Sequence, residues 1–212
     1  YTKQDVSVVN PANTIIVGTK NTVVGNNIVK IGNCTFEKSG IESLVMPNSI
    51  TSIGGMLFNA CCDLKSVTLS NGIDTIPMST FNGCTSLVEV VIPEGVKKIE
   101  RSAFYYCSAL TELVIPDSVE IIEDHVFSGC SSLESVIFGA GVKSIGDAPF
   151  LRCEAVREIT LRAVTPPTLL VDLFRDSEHV VSDVTIYVPM ESVEKYKTSE
   201  SWSKYADLIV GY

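Results

Sequence analysis

The chain has 212 residues, 45% of them hydrophobic, so it can build a sizeable core. Sixteen basic residues against 25 acidic ones give a formal net charge of -9. Such a surface repels phosphate backbones and anionic lipid, which excludes nucleic acid and membrane surfaces as expected partners. No run of about 18 apolar residues occurs, so no bilayer-spanning helix is expected.

The sequence opens on Tyr1 rather than Met and shows no signal-peptide pattern. A leader or upstream segment absent from this chain is expected. "YTKQDVSVVNPAN" reads as a loose lead-in. "TIIVGTKNTVVGNNIVKIG" (Thr14 to Gly32) reads as a degenerate repeat. There Ile15 and Val17 are expected in a strand slot, and Ile28 and Ile31 in a later extended piece.

From here the chain repeats itself. Phe36, Phe58, Phe81, Phe104, Phe127 and Phe150 are separated by 22 residues and then four times by 23. Ile53, Ile76, Ile99, Ile122 and Ile145 keep the 23-residue step, as do Leu64, Leu87, Leu110, Leu133 and Val156. A fixed period of this length marks a solenoid or array. Within one unit, "LTELVIP" (Leu110 to Pro116) reads as alternating sides, Leu113 in, Val114 out and Ile115 in, which predicts a short strand. Pro116 ends it, because proline cannot donate to a ladder. "SAFYYC" is too short for a full helix and reads as one helical or 3₁₀ turn carrying Phe104 inward. "SVEII" reads as a second short extended piece. One unit alone buries too few side chains to offset the ordering of its backbone, so units must stack. Strands of successive units then become neighbours about 4.8 Å apart.

After Leu161 the phrase breaks. "AVTPPTLL" carries a Pro-Pro pair, and "LFRDSEH" (Leu173 to His179) keeps a Phe near its expected place. "VTIYVP" (Val184 to Pro189) reads as a last strand. In the tail, Val193, Tyr196, Trp202, Tyr205 and Ile209 can share one apolar face, predicting a short helical cap over the open end of the stack. The expected fold is an α/β-type repeat solenoid, mainly β. It is a right-handed leucine-rich-repeat array of 23-residue units with one parallel sheet, short turns or 3₁₀ segments opposite, and a C-terminal helical cap. A single domain is expected over residues 1–212, with lead-in and degenerate repeat at 1–30, six repeats at 31–165, and closing strand and cap at 166–212.

The pattern "IxxxxFxxCxxLxxVxIPxxVxx" resembles the BspA-like leucine-rich repeat family, over about Asn21 to Leu161. The tail from Val184 is similar to the closing segment of such arrays in gut Bacteroidetes. The first copy departs from the pattern: "FEKSGIESL" is one residue short and lacks the Cys. The last has Pro149 before its Phe and Arg162 where several copies have Pro. The resemblance implies export, a bacterial cell-surface or secreted location, and adhesion to host matrix or other protein partners. It is specific for fold and weak for any one activity.

Five of the seven cysteines hold a repeat slot: Cys61, Cys84, Cys107, Cys130 and Cys153. One strand spacing permits a disulfide by distance. Parallel Cβ vectors and an odd count favour instead a ladder of buried thiols. A zinc site needs ligands converging on a point, which a ladder does not offer. His125, beside Glu123 and Asp124, is more simply a surface residue than a cation site, and His179 is read as solvated. No motif pairs a nucleophile with a base. No catalytic residue, cofactor or metal is expected.

Stacking puts outward strand residues in columns. One column is Val45, Thr68, Val91, Val114, Ile137 and Thr160. Its neighbour is Ser43, Ser66, Glu89, Glu112, Ser135 and Glu158. Val91, Val114 and Ile137, with Thr68 and Thr160 extending them and Glu89 and Glu112 beside them, make the candidate partner-binding stripe. Tyr105 and Tyr106 are a second candidate surface, with at least one exposed. The expected function is a non-enzymatic, exported module presenting its sheet to a protein or glycan. A structural spacer in a larger surface protein is the alternative, and an enzyme the remote one.

Overall fold

The computed structural model describes residues 15–17, 21–175 and 183–212. The lead-in at 1–14 and His179 lie outside the described residues. The strands in chain order are β1 (Ile15–Val17), β2 (Asn21–Val24), β3 (Lys30–Ile31), β4 (Ser43–Val45), β5 (Ser52–Ile53) and β6 (Ser66–Thr68). Then come β7 (Thr75–Ile76), β8 (Glu89–Val91), β9 (Lys98–Ile99), β10 (Glu112–Ile115), β11 (Ile121–Ile122) and β12 (Ser135–Phe138). The last are β13 (Ser144–Ile145), β14 (Glu158–Leu161), β15 (Thr168–Leu169), β16 (Thr185–Val188) and β17 (Ile209–Gly211). Among the described residues one short helix, α1 (Val193–Thr198), lies between two 3₁₀ turns.

Each repeat makes one coil of a solenoid, with three sides. The first is the broad sheet. Its strands pair in parallel with the 23-residue register intact, for example Leu113 beside Val136 beside Ile159. The alternation read from the sequence is what faces inward: Leu113 and Ile115 are buried and Val114 is exposed.

The second side is a narrow sheet of two-residue strands, made by the second extended piece. It runs β3–β5 and then β7–β9–β11–β13–β15. Its break falls where a backbone donor is absent. The N–H groups of Gly54, Glu100, Glu123, Gly146 and Leu170 donate to the carbonyls of Ile31, Ile76, Ile99, Ile122 and Ile145. Pro77 holds the same slot facing Ile53 and has no N–H to give.

Among the described residues the third side carries turns and no 3₁₀ helix. Residues on either side of each Phe are left-handed, such as Ser102 and Tyr106, both at φ 57°. Gly83 and Gly129 take the same slot as Tyr106 in their own coils, at φ 73° and 78°, without a Cβ penalty. This alternation turns the N–H groups of Ser102, Phe104 and Tyr106 out of their own coil. They donate to Asp124, Val126 and Ser128 carbonyls at 3.0, 2.9 and 2.9 Å. A helical turn would have kept those donors within the coil.

Inside, the phenylalanines stack in one row. Ring centroids are 5.4 Å apart for Phe36–Phe58 and Phe58–Phe81, 5.2 Å for Phe81–Phe104, 6.0 Å for Phe104–Phe127 and 5.7 Å for Phe127–Phe150. Phe174 extends the row at 5.8 Å, as its position in "LFRDSEH" led one to expect. Each slot cysteine is a buried free thiol. It donates to the carbonyl of the previous coil's Phe, as Cys107 does to Phe81 at 3.2 Å and Cys130 to Phe104 at 3.1 Å. That carbonyl also accepts an amide within its own coil, so both lone pairs are used. A small, weakly donating side chain fits where a methyl would leave an acceptor under-used.

The ends differ from their sequence reading. At the front, Ile15 and Val17 are not in the strand slot. β1 forms an antiparallel hairpin with β2, and β2 is the segment that pairs with β4, Asn21 against Ser43. The register selects the residues one repeat length before Ser43 and Leu44, and Ile15 lies too far upstream. Ile31 does pair with Ile53, as expected. At the back, "VTIYVP" forms β16 but is not the last strand, because β17 pairs beyond it, Ile186 against Ile209. Between them α1 and its 3₁₀ turns bury Tyr196, Trp202 and Tyr205. Their polar tips hold the loop after Leu161. Tyr196 donates to Ala163 carbonyl (2.8 Å), Trp202 to Pro167 carbonyl (2.6 Å) and Tyr205 to Asp172 (2.9 Å). Among the described residues no helix is long and apolar enough to cross a membrane.

Candidate functional site

The broad sheet presents its outward side chains to solvent, and the columns expected from the period are there in part. Val45 stands beside Thr68 and Thr68 beside Val91. Val114 stands beside Ile137 and Ile137 beside Thr160. Val45, Val91 and Val114 are 70%, 59% and 52% exposed, while Ile137 and Thr160 are half-buried. The column also runs further than the period foretold. Tyr187 pairs with Thr160, and Val210 with Tyr187. The insertion after Leu161 lengthens that step to 27 residues, which hides Tyr187 from a search at 23. The alternation within "VTIYVP" was the signal that could have placed it.

The expected continuity fails at one step. The broad sheet is two sheets, β1–β2–β4–β6–β8 and β10–β12–β14–β16–β17. Val91 and Val114 are therefore not ladder neighbours, nor are Glu89 and Glu112. Elsewhere along this side one backbone rung recurs. Lys65 N–H donates to Glu42 carbonyl (2.8 Å), Val88 to Lys65 (3.0 Å), Glu134 to Thr111 (2.8 Å) and Arg157 to Glu134 (2.9 Å). The corresponding Thr111-to-Val88 bond is missing. Thr111 has an N–H, so this particular rung is not lost for want of a donor. In the outward column Ser43, Ser66, Glu89, Glu112, Ser135, Glu158, this is the single step that would set two carboxylates side by side. Like charges directly opposite disfavour pairing.

The other two sides stay closed across the same step. Lys97 N–H donates to Asp74 carbonyl and Glu120 to Lys97, and Gly83 N–H donates to Tyr105 carbonyl at 2.7 Å. The coils thus fan apart on one side only. The opening is a groove of about 420 Å³ with core residues Val90, Ile92 and Leu113 in its floor. Glu89, Glu94, Glu112, Asp117 and Arg162 line it, four carboxylates to one guanidinium. Arg162 reaches to 4.0 Å from Asp117.

The remaining candidates have structural roles. Burial pushes the thiols of Cys61, Cys84, Cys107 and Cys153 up, so they stay protonated, and it is the thiolate that attacks or ligates. Among the described residues no group of His, Cys, Asp and Glu is placed to hold a metal. His125 is half-buried, with Nδ1 at 3.4 Å from Ser128 Oγ. Of the tyrosine pair, Tyr106 is the exposed one, and its ring packs edge-on to Tyr105. Its hydroxyl accepts from Arg152 at 2.9 Å, two coils away, so the pair braces the turn side rather than offering a free aromatic patch. Another groove, of about 530 Å³, lies between Ala140–Lys143 and Arg162–Thr168 and has no carboxylate in its lining.

Comparison with known proteins fits the coil geometry. The model of the BspA type leucine rich repeat region matches residues 17–130 and 97–197, in six copies. The chain belongs to the BspA-type leucine-rich repeat family. Comparison with curated protein sequences gives no match. Among solved structures, the leucine-rich repeat protein of T. pallidum is similar at 23% identity over 90% of this chain and 83% of that one, with a TM-score of 0.66. The pneumococcal vaccine antigen PcpA is similar at 22% identity over 81% of this chain and 41% of its own, TM-score 0.64. A leucine-rich repeat protein of Eubacterium ventriosum gives 19% identity over 87% and 61%, TM-score 0.54. At these identities the likeness is one of fold. This BspA-type array is a repeat-built protein-interaction module.

Proposed function

We propose that this BspA-type array is the binding portion of an exported, cell-surface or secreted bacterial protein. It engages a protein partner, host extracellular matrix foremost, through the outward face of its broad sheet. The observation that carries this reading is the exposed β-branched column. Val91 and Val114 face solvent beside Ile137, bordered by Glu89 and Glu112 and flanked by Thr68 and Thr160. An apolar stripe with a charged border is the composition of a protein interface rather than of an inert surface. A spacer has no use for it. The bacterial sources of the structural relatives, and the vaccine-antigen role in the name of PcpA, support an outward-facing location.

The test is surface capture of host matrix proteins by the immobilised chain, beside a Val114→Lys/Ile137→Lys variant checked for folding by circular dichroism. Both substitutions point outward, so the fold should survive them. The reading expects capture by the parent chain and loss of about tenfold or more in the variant. Equal capture by both discards this surface.

A further inference from the structure

We propose that the opening between β8 and β10 is a strand-acceptor site for a short, basic, extended peptide segment of the partner. This deepens the sheet-face reading and rests on it. Three observations converge. First, the edges of β8 and β10 that face the opening lack the pairing found at the neighbouring steps, with the Val88 carbonyl and Thr111 amide unjoined. Unpaired edges are templates for another strand. Secondly, the opening has two chemically distinct layers. Its floor is apolar, from Val90 and Leu113, and its outer layer holds Glu89 and Glu112. A strand alternates its side chains with period two, so one residue in such a segment drops onto the floor while its neighbours point out. Thirdly, the charge is one-sided, with four carboxylates against Arg162. A Lys or Arg on the entering segment, set between Glu89 and Glu112, removes the repulsion that keeps the strands apart. The next outward position meets Val91 and Val114, where a β-branched residue fits. The segment therefore reads basic, apolar, β-branched, and Lys-Val-Thr is its simplest form.

The experiment uses the full chain and acetyl-Gly-Lys-Val-Thr-Gly-amide, at concentrations up to the order of 1 mM, followed by amide hydrogen exchange and NMR shifts. The expected result is binding, with slowed exchange at Thr111 and shifts confined to β8 and β10. A peptide with Glu in place of Lys, and one N-methylated at Val, should each bind about tenfold more weakly or worse. Glu89→Gln/Glu112→Gln in the protein should do the same to the parent peptide, and keeps the fold even if Glu89→Lys/Glu112→Lys does not. Val29→Lys, at an exposed position outside both the stripe and the opening, should leave peptide binding unchanged. No binding at the highest concentration overturns the proposal, as does equal binding of the N-methylated or acidic peptide. If matrix capture is lost in Val114→Lys/Ile137→Lys while this peptide fails, the sheet face stands and only the strand-acceptor site falls.

Discussion

The step from β10 to β12 and the step from β8 to β10 are written with the same repeat, yet only the first pairs. Both have a Phe stacked on a Phe, at 6.0 Å for Phe104–Phe127 and 5.2 Å for Phe81–Phe104. Both have a buried thiol donating to the previous Phe carbonyl, Cys130 to Phe104 and Cys107 to Phe81. They differ on the outer face, where Glu112 meets Ser135 in one and would meet Glu89 in the other. The spine thus sets the rise of the solenoid, and the surface decides where its sheet closes. The narrow sheet gives the contrasting case, because there a proline at Pro77 removes a donor outright. One break coincides with a missing donor and the other with two facing carboxylates, so the second is the one expected to respond to its surroundings.

The largest effect should come from the spine. Phe104→Ala should destabilise the array by about 3–5 kcal/mol, measured by chemical denaturation. Phe127→Ala should cost the same within error, although its step is paired on all sides. A much smaller loss at Phe104 would mean that the halves are loosely joined at the opening. Next is the thiol slot. Cys107→Ala should cost about 1–2 kcal/mol through a small cavity and a weakened acceptor at Phe81, and Cys107→Ser less, since it still donates. If the serine variant is the worse of the two, the hydrogen bond is not what the slot selects.

Relieving charge at the opening should have a smaller effect of opposite sign. Glu112→Ser should stabilise by about 0.2–1 kcal/mol and bring β8 and β10 into register, slowing exchange at Thr111. The smallest effect concerns the cap. Burial raises the Asp172 pKa, but Lys204 at 2.8 Å, the Phe174 amide and the Tyr205 hydroxyl outweigh that and hold it below the usual aspartate value. A depressed carboxylate stabilises the fold above its unfolded pKa, and that contribution disappears as pH falls through the folded one. Asp172→Asn should therefore remove a few tenths of a kcal/mol at neutral pH and flatten the loss of stability below about pH 4, read from thermal melts.

Much of this architecture was legible in the chain, because period carries fold when every coil buries the same slots. Phe36 to Phe150, the slot cysteines and Ile53 to Ile145 all sit where the 23-residue step places them. The turn side was less legible. Its left-handed positions are held by Met56, Ser79, Ser102, His125 and Ala148, none of which announces a positive φ. The front hairpin and the place of Tyr187 were obscured by changes in step length, since a period says nothing once it is interrupted. The opening was hidden for another reason. Period treats all coils as alike, whereas pairing depends on which two particular residues meet. Glu89 and Glu112 were visible as aligned charges, but their consequence for the ladder required the coordinates.

Amide hydrogen exchange across the recurring rung in the free chain tests this account most directly. Thr111 should exchange far faster than Lys65, Val88, Glu134 and Arg157, whose amides occupy the same place in their own coils and are bonded. Uniform slow exchange at all five would show a continuous sheet and contradict it.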